Sequence, residues 1–225
     1  MLVQVTGLTD STDVEACLGV GVDHLGIVTG DTATPGGLPI EKSNELLAAI
    51  PDDHTTVALT RSESVETVLA LANRVEPDIL LVGADRMDLP PADLFDVREG
   101  LPEGMQLMRS IAVEGRGVVY PAMALDPIVD WLLLEPIEQA ETQENPLMET
   151  DPWEICAEIV ESVTTPCLLG GPLSPETVVE RVQTVDPAGV SWSLETAGTE
   201  ESVASEVLDA FVTTIWEGPS KQPSS

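Results

Sequence analysis

Lysine is nearly absent from this sequence, and cationic residues are scarce throughout it. Lysine occurs only at Lys42 and Lys221, and 9 lysines and arginines face 40 aspartates and glutamates, for a formal net charge of −31. Nucleic acids and anionic membrane surfaces attract proteins of the opposite charge. This balance argues against both as partners, so binding to nucleic acid or to a membrane is not expected.

Cysteines are few, and long apolar runs are missing. Cys17, Cys156 and Cys167 lie too far apart for a zinc-binding or redox pair, and they are too few for a disulfide framework. We predict buried free thiols, and the sequence indicates no metal and no cofactor. No apolar run approaches the roughly 18 residues that span a bilayer, and nothing near Met1 resembles a leader. We therefore expect a cytoplasmic protein.

The acidic residues are spread over predicted helices and loops instead of forming a tail, as Glu41, Glu45, Glu158 and Glu161 illustrate. This spread predicts a solvated acidic surface. Such a surface resembles that of cytosolic proteins from salt-loving archaea, in which high ionic strength screens the self-repulsion. A specific basic protein partner is the alternative explanation.

Short β-rich apolar runs alternate with amphipathic segments along the whole chain. This order is typical of βα units repeated around a parallel sheet, and eight such units can be counted. The sequence therefore predicts an α/β fold, an eight-stranded parallel βα (TIM) barrel, which commonly has about this length. The predicted strands are Leu2 to Gly7, His24 to Gly30, Thr55 to Arg61, Asp78 to Ala84, Gln106 to Val113, Trp131 to Pro136, Pro166 to Gly171 and Gly189 to Glu195.

The intervening segments predict helices, several of which begin with a capping signature. Ser174 offers a capping hydroxyl directly before Pro175, a residue favoured at the first helical position. Gly115, Gly117 and Pro121 interrupt the fifth helix, which is therefore predicted to be poor. The predicted helices are Thr9 to Val20, Ile40 to Ile50, Ser62 to Val75, Pro90 to Leu101, Gly115 to Asp126, Asp151 to Val163, Ser174 to Val185 and Glu200 to Trp216.

A single domain over residues 1–217 accounts for all the predicted units, and residues 218–225 are predicted to form a disordered tail. A polar, acidic stretch at 138–150 follows the sixth predicted strand, at the end of a barrel where active-site loops lie. Its low apolar content leaves two interpretations open, a mobile lid or a disordered insertion. A monomer is the default expectation.

Several motifs occur in the order in which phosphoribosylanthranilate isomerases carry them. Val3 to Thr9 reads Val-Gln-Val-Thr-Gly-Leu-Thr, and Gly21 to Gly26 reads Gly-Val-Asp-His-Leu-Gly. Pro77 and Asp78 precede the fourth predicted strand, and Leu173 to Val178 follows the seventh. The family opens with Val-Lys-Ile-Cys-Gly-Leu-Thr, then a helix, then Gly-Ala-Asp before a strand containing Leu-Gly. The chain thus resembles this family over nearly its whole length.

The resemblance implies a role in tryptophan biosynthesis. Family members catalyse an Amadori rearrangement, in which the ribosyl ring of N-(5-phosphoribosyl)anthranilate opens and a proton leaves C2 to give an aminodeoxyribulose phosphate. The family's general base, a cysteine on strand one, corresponds to Thr6, and its general acid, an aspartate on strand six, corresponds to Glu135. A threonine hydroxyl is a very weak base near neutral pH. His24 and His54 begin predicted strands at the opposite end of the barrel, so we expect structural roles for both.

The resemblance also implies substrate contacts away from the catalytic pair. Gln4 and Arg109 each replace a lysine of the family, and Gly83 ends a segment that reads Gln-Leu-His-Gly in the family and Leu-Leu-Val-Gly here. These three are predicted substrate-binding positions. The family's arginine after strand two falls near Gly36.

The phosphate-binding loops after strands seven and eight are the second implied site. The family's Ala-Gly-Gly-Leu reads Gly170-Gly171-Pro172-Leu173 here, and Pro172 removes one N–H donor. The family's Ser-Ser-Gly reads Ser193-Leu194-Glu195, which brings a carboxylate beside the expected phosphate. Gly170, Gly171 and Ser193 are the predicted contacts to the ligand.

Three functional hypotheses remain open. The motif order and the carboxyl group of Glu135 support an isomerase that acts on a small anionic phosphoribosyl substrate. The changes at Thr6 and in the phosphate loops support a catalytically inactive or repurposed paralogue with a binding or regulatory role. Different isomerase or lyase chemistry on the same scaffold is the third.

Two further groups of residues are candidates for ligand contacts. Arg61, Arg86 and Arg109 lie on the third to fifth predicted strands or just past their ends, which suggests an anion site at the barrel mouth. Ordinary ion pairs with acids nearby in sequence are the alternative. The default expectation for the four tryptophans is packing between sheet and helices, and Trp192 is the one that could instead face the barrel centre and stack on an aromatic ligand.

Overall fold

Strands and helices alternate eight times within the described residues, as the sequence pattern predicts. The computed structural model describes residues 1–30, 36–83, 89–137, 151–194 and 201–217, with side chains from 206 onward in the last range. The predicted tail at 218–225 and the acidic stretch at 138–150 lie outside these ranges. The barrel strands are β1 (Leu2–Thr6), β2 (His24–Thr29), β3 (Thr55–Thr60), β4 (Ile79–Val82), β5 (Gln106–Val113), β6 (Trp131–Pro136), β7 (Cys167–Leu169) and β8 (Gly189–Ser193). β5 and β6 have the predicted bounds; β4 and β7 are shorter at both ends, and the other strands are one or two residues shorter at their carboxyl end.

Each helix follows the strand of the same number. The helices are α1 (Ser11–Val20), α2 (Ile40–Leu47), α3 (Val65–Val75), α4 (Pro91–Gly100), α5 (Val119–Leu125), α6 (Pro152–Ser162), α7 (Val178–Val185) and α8 (Glu201–Glu217). α5 is short and follows a 3-10 turn at Arg116–Val118, in keeping with its glycines. α7 begins four residues later than predicted, because Ser174 and Thr177 form a turn in which the Ser174 N–H donates to Thr177 Oγ1 at 3.1 Å.

All eight strands belong to one closed sheet. Around the ring they run β1-β8-β7-β6-β5-β4-β3-β2, and β2 pairs back with β1 through Gln4 opposite His24 and Val5 opposite Leu25. A two-residue strand, Gly37–Leu38, pairs with the end of β2. The pairings are parallel, and closure removes the free edges of the barrel strands. The predicted eight-stranded parallel βα barrel is confirmed.

Each barrel strand buries both of its faces. One face packs against the helices, in the layer that holds most of the buried apolar side chains. The other face lines the barrel interior, where six buried apolar side chains form a second cluster: Val57, Ile79, Leu81, Met108, Leu133 and Leu168. Burial on both faces explains why the strands read as near-continuous apolar runs instead of alternating ones.

Polar side chains fill part of the barrel interior. Gln4 has no exposed surface and donates from Nε2 to Ser191 Oγ at 3.0 Å. Its Oε1 lies 3.4 Å from His24 Nδ1, and because an amide oxygen can only accept, we assign the Nδ1 proton to His24. The Trp131 ring meets the His24 ring edge-on at 5.7 Å and donates from Nε1 to Gln106 Oε1 at 3.1 Å. This packing gives His24 a structural role.

Trp192 packs against a helix, so its suggested contact with the barrel centre is not realised. Its neighbours Ser191 and Ser193 occupy the interior-facing positions of β8, because Ser191 lies opposite Gln4 in the register. The Trp192 ring stacks on Phe211 of α8, with centroids 5.5 Å apart and planes 19° from parallel. The tryptophan that reaches the interior is Trp131, at the amino-terminal end of β6.

An aspartate lies directly before each of β2, β4 and β6, and its carboxylate bonds to the preceding odd-numbered strand. In each case the carboxylate accepts the backbone N–H of the second residue of the odd-numbered strand at 2.8 Å. We call these contacts aspartate clamps; they join Asp23 to Val3, Asp78 to Thr56 and Asp130 to Leu107. Before β8 the corresponding residue is Ala188, whose N–H donates to the Cys167 carbonyl at 2.9 Å but which carries no carboxylate.

Arginines on the helices pair with surface acids. Arg74 lies 3.6 Å from Glu41, and Arg116 lies 3.1 Å from Glu158. Exposed pairs of this kind contribute about 0–1 kcal/mol each, which offsets little of the repulsion expected at a net charge of −31. Among the described residues, no helix combines the length and apolar character needed to cross a bilayer.

Asp23→Ala should destabilise the fold by about 1.5–3 kcal/mol, the range for a hydrogen bond to a charged group. The substitution leaves the buried Val3 N–H without its acceptor. Urea unfolding at a fixed high KCl concentration measures the change. Asp52→Ala is the matched control, since Asp52 lies exposed in the turn before β3 and its loss removes the same charge. An equal effect of both variants would contradict a stabilising role for the clamp.

Burial lowers the pKa of His24, although Asp23 and Asp78 partly oppose that shift. The unfolded chain therefore takes up a proton at a higher pH than the folded chain does. We expect the stability contribution of neutral His24 to be complete above about pH 6.5, the pKa of unfolded histidine, and to be lost as the pH falls below it. The measurement is the free energy of unfolding against pH for the wild type and for His24→Gln, in which this acid-side loss should be reduced.

His54→Gln is the control for that titration, because His54 lies in the turn before β3, beside Asp53 and outside the barrel interior. The large number of carboxylates gives every variant a common acid-side response, and the comparison removes it. The same pH profile for His24→Gln and His54→Gln would contradict the assignment of the loss to His24.

Candidate active site

The carboxyl ends of the strands form the mouth of the barrel. Three hydroxyl side chains and one carboxyl group occupy strand positions there that face the barrel interior. Thr6 ends β1 and lies opposite Ser193 of β8 in the register. Glu135 lies near the end of β6, two residues after the interior residue Leu133. Ser110 lies two residues after the interior residue Met108 on β5. The fold thus collects three hydroxyls and one carboxyl group at the end of a barrel that carries active sites.

Thr6 is 8% exposed and lies against a strand position that has no side chain. Its Cγ2 is 2.9 Å from the point where a Cβ on Gly26 would lie. The methyl group of Thr6 therefore occupies the space that a side chain on β2 would need. Its hydroxyl is a hydrogen-bonding group and a very weak base, so Thr6 can orient a ligand but is poorly suited to remove a proton from carbon.

Glu135 supplies the carboxyl group at the mouth and is half-buried. Its Cγ lies 3.5 Å from the point where a Cβ on Gly170 would lie, so the Glu135 stem packs beside the backbone of Gly170. Three described ionisable residues occupy interior-facing positions of the strands or directly after them. Glu135 and Arg61 lie at the mouth, whereas His24 lies at the amino-terminal end. Glu135 is therefore the described group best placed for proton transfer.

The three cysteine thiols lie away from the mouth and are poorly suited to act as bases. Cys17, Cys156 and Cys167 are buried free thiols in the layer between helices and sheet, as predicted. Burial raises the pKa of each thiol to about 12. A thiol with such a pKa is almost fully protonated at neutral pH, so none of the three can replace the base that Thr6 does not supply.

The turn after β7 retains few amide donors for a phosphate. The Gly170 N–H donates to the Leu134 carbonyl at 2.8 Å, and the Leu173 N–H donates to the Gly171 carbonyl at 2.8 Å. Pro172 has no N–H. Gly171 adopts a φ of 86°, and a Cβ there would lie 3.1 Å from the Pro136 carbonyl oxygen, so glycine is needed. The Gly170 and Leu173 N–H groups are thus used within the protein. Of the described amides in this turn, the Gly171 N–H is the one that donates no hydrogen bond to another residue.

The predicted substrate-binding residues fall at different depths. Gly83, Gly170 and Ser193 lie at strand ends at the mouth, whereas Gln4 lies one layer below Thr6 in the polar core. Arg109 is 5% exposed and follows Met108 on β5, so it starts on the helix-facing side of the sheet, and its Nη1 lies 3.5 Å from the Gly83 carbonyl oxygen.

The other predicted positions are only partly described. Arg86 and Glu195 lie outside the described residues. Gly36 begins the segment that resumes after residue 35 and has a φ of 70°. Sequence reasoning had not singled out Ser110, which the two-residue alternation from Met108 could have revealed.

Curated relatives of this chain are named as isomerases of one kind. N-(5'-phosphoribosyl)anthranilate isomerase of Haloferax volcanii is 33% identical over 197 residues, which cover 84% of this chain and 80% of that protein. The protein of the same name from Haloarcula marismortui is 28% identical over 202 residues, which cover 87% of this chain and 88% of the relative. No family model matches the sequence.

Solved structures agree on the fold at low sequence identity. Phosphoribosylanthranilate isomerase from Thermotoga maritima superposes with a TM-score of 0.75 at 16% identity, over 95% of this chain and 98% of that one. An isomerase of this kind, solved in complex with reduced 1-(o-carboxyphenylamino)-1-deoxyribulose 5-phosphate, has a TM-score of 0.74, with the same identity and coverage. These likenesses support the barrel architecture independently of the site residues.

Proposed function

Because this chain belongs to the phosphoribosylanthranilate isomerase family, we propose that it isomerises N-(5'-phosphoribosyl)anthranilate in tryptophan biosynthesis, as a monomer in the cytoplasm. The observation that carries the proposal is the position of Glu135. It is a carboxyl group on the interior alternation at the mouth of the barrel, where the family resemblance places the general acid. No cofactor or metal is part of the proposed reaction.

Glu135 transfers the proton in both halves of the proposed reaction. As a carboxylic acid it gives its proton to the ribosyl ring oxygen while the C1–O bond breaks, and the nitrogen lone pair forms a C=N bond, which gives the protonated imine (iminium ion). The resulting carboxylate then takes the proton from C2, which leaves the enol form and restores the acid. The enol tautomerises to the ketone product, so substrate and product are isomers.

Thr6 and the glycines at the mouth bind and position the substrate in this proposal. The hydroxyls of Thr6 and Ser193 lie in register on adjacent strands and offer hydrogen bonds to the sugar hydroxyls. Gly170 and Gly171 bring the backbone close to the phosphate, with the Gly171 N–H as donor. One carboxyl group then does the work of an acid–base pair, and we expect a slower enzyme, since one positioned base typically contributes about 10²–10⁴-fold.

Glu135→Gln should lower kcat/KM by about 10²–10⁴-fold, because the amide neither gives nor takes the proton. The measurement is consumption of phosphoribosylanthranilate followed by fluorescence at high salt, backed by growth of a tryptophan auxotroph that lacks the isomerase. Glu180→Gln is the control, since Glu180 is exposed on α7 and its loss removes the same charge. Turnover by folded Glu135→Gln at the wild-type rate would remove Glu135 from the reaction. Ligand binding by the wild type without turnover would instead support a non-catalytic paralogue.

Thr6→Cys should raise kcat by about tenfold to a hundredfold, because a thiol with an ordinary pKa near 8.5 is a few per cent thiolate at neutral pH and can act as a base. Cysteine also lacks the Cγ2 that lies against Gly26, so it fits the space. The measurement is single-turnover kinetics at saturating enzyme.

Thr6→Ser is the matched control for the thiol. It removes the same methyl group but keeps the hydroxyl, so kcat should stay near the wild-type value. An equal gain in Thr6→Ser and Thr6→Cys would assign the effect to space near Gly26 and not to base strength.

A further inference from the structure

The side chains of Arg61 and Arg109 approach the same glycine, Gly83, at the mouth of the barrel. The Cγ of Arg61, just past β3, lies 3.5 Å from the point where a Cβ on Gly83 would lie. On the other side, Arg109 Nη1 lies 3.5 Å from the Gly83 carbonyl oxygen. Gly83, directly after β4, thus lies between the exposed Arg61 and the buried Arg109.

This concentration of positive charge is unusual for the chain, which has 9 cationic residues in total. Four of its seven arginines lie on or beside helices and face carboxylates: Arg74, Arg98, Arg116 and Arg181. Arg61 lies at the mouth on the interior alternation, and Arg109 lies behind it on the helix-facing side of β5; both also make other contacts. On a strongly acidic protein, two neighbouring cations raise the local potential, which favours an anion at this part of the mouth.

The place of these arginines in the ring shows which end of a ligand they would meet. In the eight-stranded ring, three strands lie between β3 and β7 on either side, and three between β4 and β8, so Gly83 lies across the mouth from the loops that follow β7 and β8. In barrels of this type those loops bind the phosphate. A phosphoribosyl ligand anchored there extends its other end towards Arg61.

We propose that Arg61 binds the carboxylate on the aryl ring of the substrate and so selects aryl groups that carry an ortho carboxylate. This inference rests on the proposed function. The planar guanidinium can bind a carboxylate through two parallel hydrogen bonds while other N–H groups keep existing contacts. The Arg61 stem packs beside Gly83, and buried Arg109 contributes positive charge from behind without touching the ligand.

The test crosses one protein change with one ligand change. The probes are reduced 1-(o-carboxyphenylamino)-1-deoxyribulose 5-phosphate and its carboxamide counterpart, titrated by calorimetry at high KCl into wild type and Arg61→Gln. We expect Arg61→Gln to weaken binding of the carboxylate ligand by about 10- to 100-fold and of the carboxamide by less than about threefold. Arg61→Lys should lie between, since it keeps the charge and loses the paired geometry.

Arg74→Gln is the matched control, because it removes the same charge from an exposed site at the end of α3. It should weaken both ligands equally and little. An equal loss for both ligands in Arg61→Gln would overturn the carboxylate contact, and a loss that disappears with the dephosphorylated ligand would assign Arg61 to the phosphate. Wild type that binds neither ligand would overturn the proposed function, and this subsite with it.

Discussion

Closure of the sheet is the constraint on which the rest of the structure depends. Because β2 pairs back with β1, every barrel strand has two neighbours, and no strand can shift by one residue without exchanging its interior side chains for its helix-facing ones. That fixed register holds Gln4 beside Ser191 in the core and places Thr6 and Glu135 at the mouth. The aspartate clamps reinforce it at the amino-terminal end, where a carboxylate before one strand binds the backbone of another.

Stability and chemistry therefore lie at opposite ends of the same strands. His24 and the clamp aspartates are bonded into the amino-terminal end, whereas the mouth is built from hydroxyls, glycines and Glu135. Replacing a thiol by Thr6, or an amide donor by Pro172, changes which groups can react or bind without removing a hydrogen bond of the strand ladder. Because of this separation, residues at the mouth can change without loss of the fold, which is consistent with family membership at 33% identity.

The fold was predictable because burial on both faces produces apolar runs that the sequence displays directly, and β5 and β6 have their predicted bounds. The start of α7 could not be predicted in the same way. The hydroxyl and the backbone N–H of Ser174 form hydrogen bonds with Thr177 in a turn, so the helix begins only after that turn. Thr6 and Glu135 could be predicted as site residues by motif, and the structure places both at the mouth. The approach of Arg61 to Gly83 depends on the register between β3 and β4, which no local pattern encodes.

The missing carboxylate at Ala188 has a consequence for how the barrel opens. β7 has three residues and pairs with β8 through two of them, and no clamp binds the two strands there. β1 and β2 also pair through two residues each, but the Asp23 clamp adds a bond there. We therefore expect the backbone amides of β7 and β8 to exchange with solvent earlier than those of the clamped pairs. Substitutions in the loops that follow β7 and β8 should thus reshape the mouth of the barrel with less effect on global folding than substitutions beside a clamp.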